Sequence, residues 1–304
     1  MRICRTSSEM QQACRELKKN TAPERGLGFV PTMGALHAGH LSLIATARAE
    51  CDFVVASIFV NPLQFAAGED LAVYPREFEE DCRKLESAGV EILFAPEPDD
   101  MYPSGATTFV EVGGIGKRLD GASRPGHFRG VATVVSKLFN IVGPDRAYFG
   151  QKDAAQVAVL RTMVRDLNFP VNLVVCPTVR EEDGLAMSSR NRYLTADERR
   201  RALILSRTLE TAKHLAETEI HDAQMLRDTL LEALAADPLL QVDYVAVVDP
   251  NTLEPTENID SGALIAFAAW FGKTRLIDNL VIEPVSQRAG ADLSRASARE
   301  LSHA

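Results

Sequence analysis

Two histidines three residues apart, His37 and His40, follow an apolar run in the segment VPTMGALHAGHLSL, residues 30–43. Imidazoles at the start of a helix are well placed to donate hydrogen bonds to an anion, because the unpaired N–H groups of the first turn make that end electropositive. Such donors stabilise most strongly a phosphate that gains negative charge during displacement. The spacing therefore favours nucleotidyl transfer. The alternatives are a loop cap beside an ordinary helical histidine, or a zinc pair that lacks a third ligand of convincing spacing.

A second group of polar residues stands about 150 residues later, in GLAMSSRNRYL. Met187 is followed by two hydroxyl groups, Ser188 and Ser189, and by the guanidinium of Arg190. Hydroxyls and a planar cation on a mobile loop suit a triphosphate tail that is clamped and then released as pyrophosphate. Surface turns have the same composition, so this loop gains meaning only from its combination with the two histidines.

The elements that must position these residues alternate between apolar, β-branched runs and helical patterns through the first 180 residues. This alternation predicts an α/β fold: a Rossmann-like, doubly wound parallel sheet whose ligand crevice lies beyond the carboxyl ends of the strands. The predicted strands are 27–30, 53–60, 90–95, 147–149 and 171–176, and the predicted helices are 39–50, 76–88, 129–142 and 154–166.

The character of the chain changes after about residue 180. Thr195 and Glu198 form a capping-box pattern that predicts a long helix, and a second helix is predicted over 222–236. Three strand patterns follow, and Gly272 lies in the hairpin predicted between the last two. We therefore expect a Rossmann-like nucleotide-binding domain over 1–179, a smaller α+β lid domain over 180–287, and a frayed tail over 288–304.

Charge and cysteine content narrow the class of protein. The 304 residues carry a formal charge of −9, which argues against a nucleic-acid partner or an anionic membrane surface. The apolar runs are too short for a membrane helix, and the first residues lack the apolar stretch of an export signal. Five scattered cysteines without a C-x-x-C pair are typical of reduced thiols in the cytoplasm. The sequence thus predicts a cytoplasmic protein without membrane association.

Five segments together resemble the pantothenate synthetase (pantoate–β-alanine ligase) family of the nucleotidylyltransferase superfamily: PTMGALHAGH, FVNPLQF, RPGHFRGV, GQKDAAQ and PTVREEDGLAMSSRN. The resemblance runs from about residue 27 to about residue 283. It implies an AMP-forming ligase in which ATP and pantoate give pantoyl adenylate and pyrophosphate, after which the amine of β-alanine releases pantothenate, a coenzyme A precursor, and AMP. It also implies Mg²⁺ with the nucleotide and a homodimer.

The resemblance also assigns roles to residues. His40, with His37 and Lys152, is implied in catalysis. Pantoate is implied to contact Gln64 and Gln156, while Asn61, Arg124 and His127 are further substrate-binding candidates; the metal ligands stay unknown. The implied ATP-binding residues are Met33, Gly34, Ala35, Leu36, His37, Ala38, Gly39, His40, Gly150, Gln151, Lys152, Asp153, Val179, Met187, Ser188, Ser189 and Arg190.

Several of these residues also have local explanations. Asp153 and Gln156 have the D-x-x-Q spacing of a helix cap, which would occupy both side chains. Gln151 stands where the family pattern has Glu, which removes an ionic role for that side chain. Tyr74 and the acidic run 79–81 are weaker candidates for the site. Acidic residues in a first helical turn interact favourably with the helix dipole and need no ligand to explain them.

Two rival functions are another adenylate-forming enzyme of the aminoacyl-tRNA synthetase type and a regulatory protein that keeps the fold without turnover. The negative charge and the lack of an anticodon-binding module weigh against the first. Exchange of labelled pyrophosphate into ATP distinguishes the three functions. The exchange would require pantoate in the ligase and an amino acid in a synthetase-like enzyme, and it would not occur in a regulatory protein.

Overall fold

The computed structural model describes residues 1–22, 25–66 and 68–286, and these residues form two compact units that divide between Tyr193 and Leu194. The first unit is built on a six-stranded sheet in which every neighbouring pair is parallel. Its strands are β1 (Arg2–Cys4), β2 (Leu27–Thr32), β3 (Phe53–Ile58), β4 (Ile92–Phe94), β5 (Arg146–Gly150) and β6 (Asn172–Cys176). The predicted Rossmann-like, doubly wound sheet is confirmed.

The strand order is β1-β4-β3-β2-β5-β6. From β2 the chain moves outward through β3 to β4, and it then returns to place β5 and β6 on the other side of β2. The direction of winding therefore reverses between β2 and β5, and open parallel sheets bind ligands at such a switch point. The pairings Gly28 with Arg146 and Phe29 with Ala147 join the two halves of the sheet.

Seven α-helices accompany this sheet within the described residues: α1 (Ser7–Lys18), α2 (Ala38–Glu50), α3 (Phe78–Ser87), α4 (Pro98–Met101), α5 (Asp120–Ser123), α6 (His127–Val142) and α7 (Ala154–Asp166). Helices α2 and α3 contribute Leu43, Ile44 and Leu85 to one buried cluster with strand residues. Helix α6 packs beside α1 and α7. The strands are apolar on successive residues because helices shield the sheet from water.

The second unit consists of α8 (Ala196–Thr218), α9 (Ala223–Ala235) and an antiparallel sheet of β7 (Gln241–Val248), β8 (Ala263–Phe271) and β9 (Thr274–Ile282). Thr195 and Glu198 form the predicted capping box at the start of α8. Gly272, with φ of 58°, lies in the turn of the predicted hairpin between β8 and β9. The predicted smaller α+β part is therefore confirmed.

The two units divide between Tyr193 and Leu194, later in the chain than the predicted boundary after residue 179. Ser188 and Ser189 consequently belong to the first unit and are not carried by the second. The assignment of the second unit as a lid stays a prediction. The predicted tail, 288–304, lies outside the described residues. None of the described helices is long and apolar enough to span a membrane.

Candidate active site

Four loops that the sequence singled out follow the carboxyl ends of four adjacent strands. The loops start after Thr32 of β2, Ile58 of β3, Gly150 of β5 and Cys176 of β6. They carry the histidine pair, the Asn61–Gln64 turn, the 151–153 turn and the Met187–Arg190 segment, respectively. Because parallel strands all end at one edge of the sheet, the fold gathers these loops at the switch point between β2 and β5.

The two histidines form a reciprocal cap at the start of α2. The Nδ1 atom of His37 accepts a hydrogen bond from the Gly39 N–H at 3.2 Å, and the Nδ1 atom of His40 accepts one from the His37 N–H at 3.4 Å. Their ring centroids lie 4.1 Å apart with a 39° angle between the planes. The capping alternative is therefore correct for the Nδ1 atoms, and it leaves the Nε2 atoms for other partners.

These contacts define the protonation of both rings. Burial lowers the pKa of His37 to about 4 and that of His40 to about 3, with the Lys152 charge adding to the effect on both. Both imidazoles are thus neutral at pH 7, and since each Nδ1 accepts a backbone N–H, the proton of each ring resides on Nε2. The site therefore presents two neutral N–H donors beside the N-terminus of α2, which suits a phosphate oxygen.

The loop before the histidines is held by the chain itself. The N–H groups of Ala35 and Leu36 both donate to the buried carboxylate of Asp81, each at 2.8 Å, and the Gly34 N–H donates to the Thr32 hydroxyl. Gly34 and Ala35 both have left-handed backbone angles, which turn successive N–H groups toward one anion. These three predicted ATP-binding residues thus use their amides internally, and Asp81 fills the concavity that they form.

The Met187–Arg190 segment lies beside the histidine loop. Val179 and Met187 pair through a backbone hydrogen bond of 2.9 Å, and Arg180 and Ala186 continue the same small hairpin. A Cβ atom on Gly39 would lie 3.8 Å from the Cβ of Met187. The two motifs that are about 150 residues apart in sequence are therefore in direct proximity.

The hydroxyl and guanidinium groups of this segment have partners of their own. The Arg190 guanidinium makes a two-pronged ion pair with Asp70, at 2.8 and 2.9 Å, and lies 5.8 Å from the centre of the Tyr74 ring. The Ser189 hydroxyl is 3.4 Å from the Tyr74 hydroxyl, and the Ser188 hydroxyl accepts the Arg190 N–H. The sequence predicted that the Arg190 guanidinium binds phosphate, but in this structure it binds the Asp70 carboxylate.

The turn after β5 supplies a cation and an open space. Lys152 pairs with Asp153 at 3.3 Å. Burial raises the pKa of the Asp153 carboxyl, but the Lys152 and Arg190 charges outweigh burial and leave that pKa below its usual range. A Cβ atom on Gly150 would meet no protein atom within 4 Å, so the space at the end of β5 is open to a ligand.

The capping explanation for Asp153 and Gln156 is wrong. Asp153 stands at the N-cap of α7, yet its side chain makes no capping hydrogen bond. Within the part of the chain that the structure describes, the Gln156 amide makes no hydrogen bond. This amide is therefore available to a ligand, which is what the resemblance implied for it.

Asn61 and Gln64 differ in their availability. The Asn61 amide nitrogen donates to the Gly130 carbonyl and to the Gln64 side-chain oxygen, while its oxygen accepts from the Leu63 N–H and the Tyr102 hydroxyl. All of its hydrogen-bonding capacity is used. The Gln64 side chain accepts one hydrogen bond at its oxygen and donates one from its nitrogen to the Met33 sulfur, at 3.1 Å, so one N–H and one lone pair remain for a ligand. Asn61 thereby fixes the orientation of the Gln64 amide, with the amide nitrogen toward Met33.

Arg124 and His127 support the same turn from the other side. The His127 Nδ1 and the Arg124 Nη2 both donate to the Gln64 backbone carbonyl, at 2.8 and 3.3 Å. Arg124 also makes a two-pronged pair with Glu69, at 2.6 and 2.7 Å. Burial, followed by the Arg124 charge, lowers the pKa of His127 to about 4, so this ring is also neutral at pH 7.

The residues that sequence reasoning missed are the acids and the lysine that organise these groups: Glu69, Asp70, Asp81 and Lys84. Asp81 was explained by the helix dipole alone, and nothing in its local sequence distinguishes it from Glu79 or Glu80. Glu69 and Asp70 are adjacent acids in an exposed-looking segment. Their partners become evident only when the sheet brings the loops together.

No group of three or more histidine, cysteine or acidic side chains within the described residues is arranged to hold a metal ion. Asp153 is the half-exposed, ionised carboxylate beside Lys152 at the end of β5. Mg²⁺ is commonly held by one or two carboxylates together with substrate phosphates. The donor set therefore fits an ion that arrives on a nucleotide better than a site formed by protein groups alone.

Comparisons with known proteins identify the family of the chain. A model of the family Pantoate-beta-alanine ligase matches residues 2–281. A pantothenate synthetase of Koribacter versatilis is 55% identical over 290 residues, which cover 95% of this chain and 99% of that protein. The crystal structure of pantothenate synthetase from Thermus thermophilus superimposes with a TM-score of 0.87 at 49% identity, covering 93% of this chain and 100% of that one.

A third relative has its ligands in place. The pantoate-beta-alanine ligase of Francisella tularensis, in complex with beta-gamma ATP and beta-alanine, superimposes with a TM-score of 0.75 at 34% identity, and the match covers 92% of this chain and 97% of that chain. The resemblance seen in five sequence segments is thereby confirmed. The chain belongs to the pantoate–β-alanine ligase family, and it is a ligase that uses ATP to form pantothenate from pantoate and β-alanine.

Proposed function

We propose that the ligase works through an acyl adenylate formed at the switch point between β2 and β5. A carboxylate oxygen of pantoate attacks the α-phosphorus of ATP and pyrophosphate leaves. The amine of β-alanine then attacks the pantoyl carbonyl, an amide bond forms, and AMP leaves with the electrons of the broken C–O bond. The supporting observation is the pair of neutral imidazoles whose Nε2–H groups remain for a ligand at the N-terminus of α2.

His40 and His37 serve as hydrogen-bond donors to the phosphates. Negative charge grows on the phosphate oxygens during displacement, and a donor that is already oriented stabilises that charge without reorganising solvent. A neutral imidazole with a pKa of about 3 or 4 is a poor proton source, so donation of an N–H hydrogen bond is favoured over transfer of a proton. Lys152 adds a positive charge from the opposite side of the switch point.

Gln64 and Gln156 bind pantoate in this proposal. The Gln64 amide nitrogen faces away from Asn61 and is set to donate to a carboxylate or hydroxyl oxygen. Gln156 supplies an amide that no described residue occupies. The saturated hydrogen bonds of Asn61, and those of Arg124 and His127 to the Gln64 carbonyl, favour a supporting role for these three predicted substrate-binding residues.

Ser188, Ser189 and Arg190 bind the leaving pyrophosphate. Arg190 must then exchange its pair with Asp70 for a phosphate, since a guanidinium offers the same two-pronged geometry to both anions. Met33, Val179 and Met187 line the adjacent nucleotide site, and Gly150 leaves room for the nucleotide at the end of β5. The beta-gamma ATP in the complex of the Francisella tularensis relative supports ATP as the nucleotide.

Mg²⁺ accompanies the nucleotide in this proposal. Asp153 is the carboxylate that would hold the ion, and the ion would neutralise charge on the phosphates.

All five cysteines are free thiols, which supports a reducing, cytoplasmic location. A homodimer is supported by β6 and β9, which are edge strands of their sheets, and by Phe109, which is 43% exposed. The second unit acts as a lid that excludes water from the adenylate.

The decisive experiment is the exchange of labelled pyrophosphate into ATP. We expect exchange with pantoate alone, and release of AMP only when ATP, pantoate and β-alanine are all present. Exchange that requires an amino acid instead would indicate a synthetase-like enzyme, and no exchange with any acid would indicate a regulatory protein. Either of these outcomes would refute the adenylate proposal.

A further inference from the structure

Helix α3 contacts the histidine loop through two side chains one turn apart. Asp81 accepts the N–H groups of Ala35 and Leu36, and Lys84 donates to the Leu36 carbonyl at 2.9 Å. Asp81 is 1% exposed, and the Lys84 side chain is 29% exposed. Both the N–H and the C=O of Leu36 are thus bound by one D-x-x-K pair, immediately before the first histidine.

The contact with Lys84 continues to the second histidine through a single peptide group. The Leu36 carbonyl belongs to the peptide whose N–H is that of His37, and this N–H donates to the Nδ1 atom of His40 at 3.4 Å. A cation on the carbonyl oxygen of a peptide makes its N–H a stronger donor, because hydrogen bonds in a chain polarise one another. At 3.4 Å this hydrogen bond is long and weak, so its persistence is sensitive to how strongly the His37 N–H is polarised.

We infer that Asp81 and Lys84 are positioning residues for His40: through the Leu36–His37 peptide they keep its Nδ1 atom as an acceptor and therefore its Nε2–H directed at the substrate. This inference rests on the proposed role of His40 as a phosphate donor. Neither side chain needs to touch the substrate. Without Asp81 and Lys84, the His40 ring can carry its proton on Nδ1. The Nε2 atom then presents a lone pair, which repels a phosphate oxygen.

Other charges also act on His40, and they set the background for the test. His37 and Lys152 lower its pKa together with Lys84, whereas Asp153 raises it, and burial is the largest influence. None of these other groups is hydrogen-bonded to the Leu36–His37 peptide in the described structure. Loss of Lys84 therefore removes the peptide contact and a 3.8 Å ion pair with Glu80, while the charges of Lys152 and Asp153 stay in place.

The test replaces the ammonium by an apolar group of similar length, Lys84→Met, in the full chain. Nitrogen-15 NMR of histidine-labelled protein at pH 7.5 reports directly which ring nitrogen carries the proton. We expect His40 of the parent chain to show the Nε2–H form alone, and His40 of Lys84→Met to show a mixture of both forms. The parent chain with Arg83→Met is the matched control, since Arg83 is the exposed neighbour whose ion pair is with Glu80.

The kinetic counterpart is a fall in kcat for pantoate-dependent pyrophosphate exchange of roughly tenfold in Lys84→Met, the usual scale for losing a group that orients a functional histidine. Lys84→Arg keeps a cationic donor and should restore most of the rate. Asp81→Asn replaces one carboxylate oxygen with an N–H donor that faces a backbone N–H, and it should produce the same mixture at His40. If Asp81→Asn does not fold, Lys84→Met still decides the matter.

A single Nε2–H form at His40 in Lys84→Met would overturn the inference, whatever the rate. A loss of thermal stability without any change at His40 would assign Asp81 and Lys84 a purely structural role and would also overturn it. The NMR measurement needs no substrate, so it can fail while pyrophosphate exchange succeeds. Conversely, absence of pantoate-dependent exchange in the parent chain would refute the proposed function alone.

Discussion

The histidine loop and the arginine side of the site are built in opposite ways. His37 and His40 are neutral, and their structural contacts occupy Nδ1 while each Nε2–H is kept for a ligand. Arg124 and Arg190 are permanently charged, and each already holds a carboxylate in a two-pronged pair, with Glu69 and Asp70 respectively. The histidines present donors that need no rearrangement, whereas Arg190 must release Asp70 before it can hold a phosphate.

This difference indicates which region governs the rate of chemistry and which governs binding. A donor that is oriented before the reaction lowers the barrier directly, since no reorganisation accompanies the developing charge. When a guanidinium exchanges one anion for another, the net binding free energy is only the difference between the free energies of the two ion pairs. Changes at the histidines should therefore reduce kcat, and changes at Arg190 and Asp70 should mainly alter the KM for ATP.

The largest effect is expected for His40→Ala. Removal of one oriented donor to the phosphates should lower kcat for pantoate-dependent pyrophosphate exchange by roughly a hundredfold or more. His214→Ala, an exposed histidine of α8 in the second unit, is the matched control and should keep the parent rate. An unchanged rate in His40→Ala would show that His40 takes no part in the mechanism. The proposed difference between the histidines and the arginines would then be wrong.

The histidines should also make stability depend on pH, which the arginines cannot do. Three rings have lowered pKa values, about 4 for His37 and His127 and about 3 for His40, so below pH 6.5 the unfolded chain binds protons that the folded chain does not. The free energy of unfolding should accordingly fall by roughly 1 to 2 kcal/mol per histidine between pH 6.5 and pH 5. Urea unfolding at both pH values measures this loss.

The His40→Ala variant serves as the internal comparison for that measurement. Because alanine cannot titrate, the variant should lose less stability than the parent chain over the same interval, whatever its stability at pH 7. An equal loss in both proteins would mean that His40 titrates near its ordinary pKa. The argument for a neutral phosphate donor would then fail.

A smaller effect is expected for Arg190→Lys. Lysine keeps the charge but loses the planar, two-pronged contact, so the KM for ATP should rise roughly tenfold with a lesser change in kcat. Arg192→Lys, whose exposed partner is Glu77, is the control. A loss confined to kcat would show that Arg190 acts on the transition state in the same way as the histidines.

The smallest effect is expected for Asp70→Asn, which weakens the anion that competes for Arg190. The KM for ATP should fall by roughly two- to threefold, because the guanidinium is released more easily, and stability should drop by about 1 kcal/mol or less. Asp99→Asn, an exposed acid in the first turn of α4, is the control. A higher KM in Asp70→Asn would show that the pair orients Arg190 and does not compete with the nucleotide.

Sequence patterns predicted most of the fold correctly and missed its beginning. The helical patterns over 154–166 and 39–50 correspond to α7 and α2, and the capping box at Thr195 begins α8 as expected. The strand β1 and the helix α1 were not predicted, although Thr6 and Glu9 form a capping box there. Three strand residues are too few for a periodic pattern, and β1 is stabilised by its pairing with the distant β4.

In the site, residue types were easier to predict than residue contacts. The histidines, Lys152 and the amides of Gln64 and Gln156 lie in the loops and first helical turns that follow strand ends, as the α/β pattern predicted. The state of Asn61, whose four hydrogen bonds include Gly130 and Tyr102, depends on residues 41 and 69 positions away. The same holds for Arg190, whose partner Asp70 is 120 positions away.

The sequence by itself determined the alternation of strands and helices, and with it the edge of the sheet at which the polar loops gather, because apolar periodicity and strand direction are local properties of the chain. Only the tertiary structure decided which nitrogen of each histidine carries the proton and which arginine already holds an acid. Those states depend on burial and on partners from distant segments, and their energies arise only when the chain has folded around them.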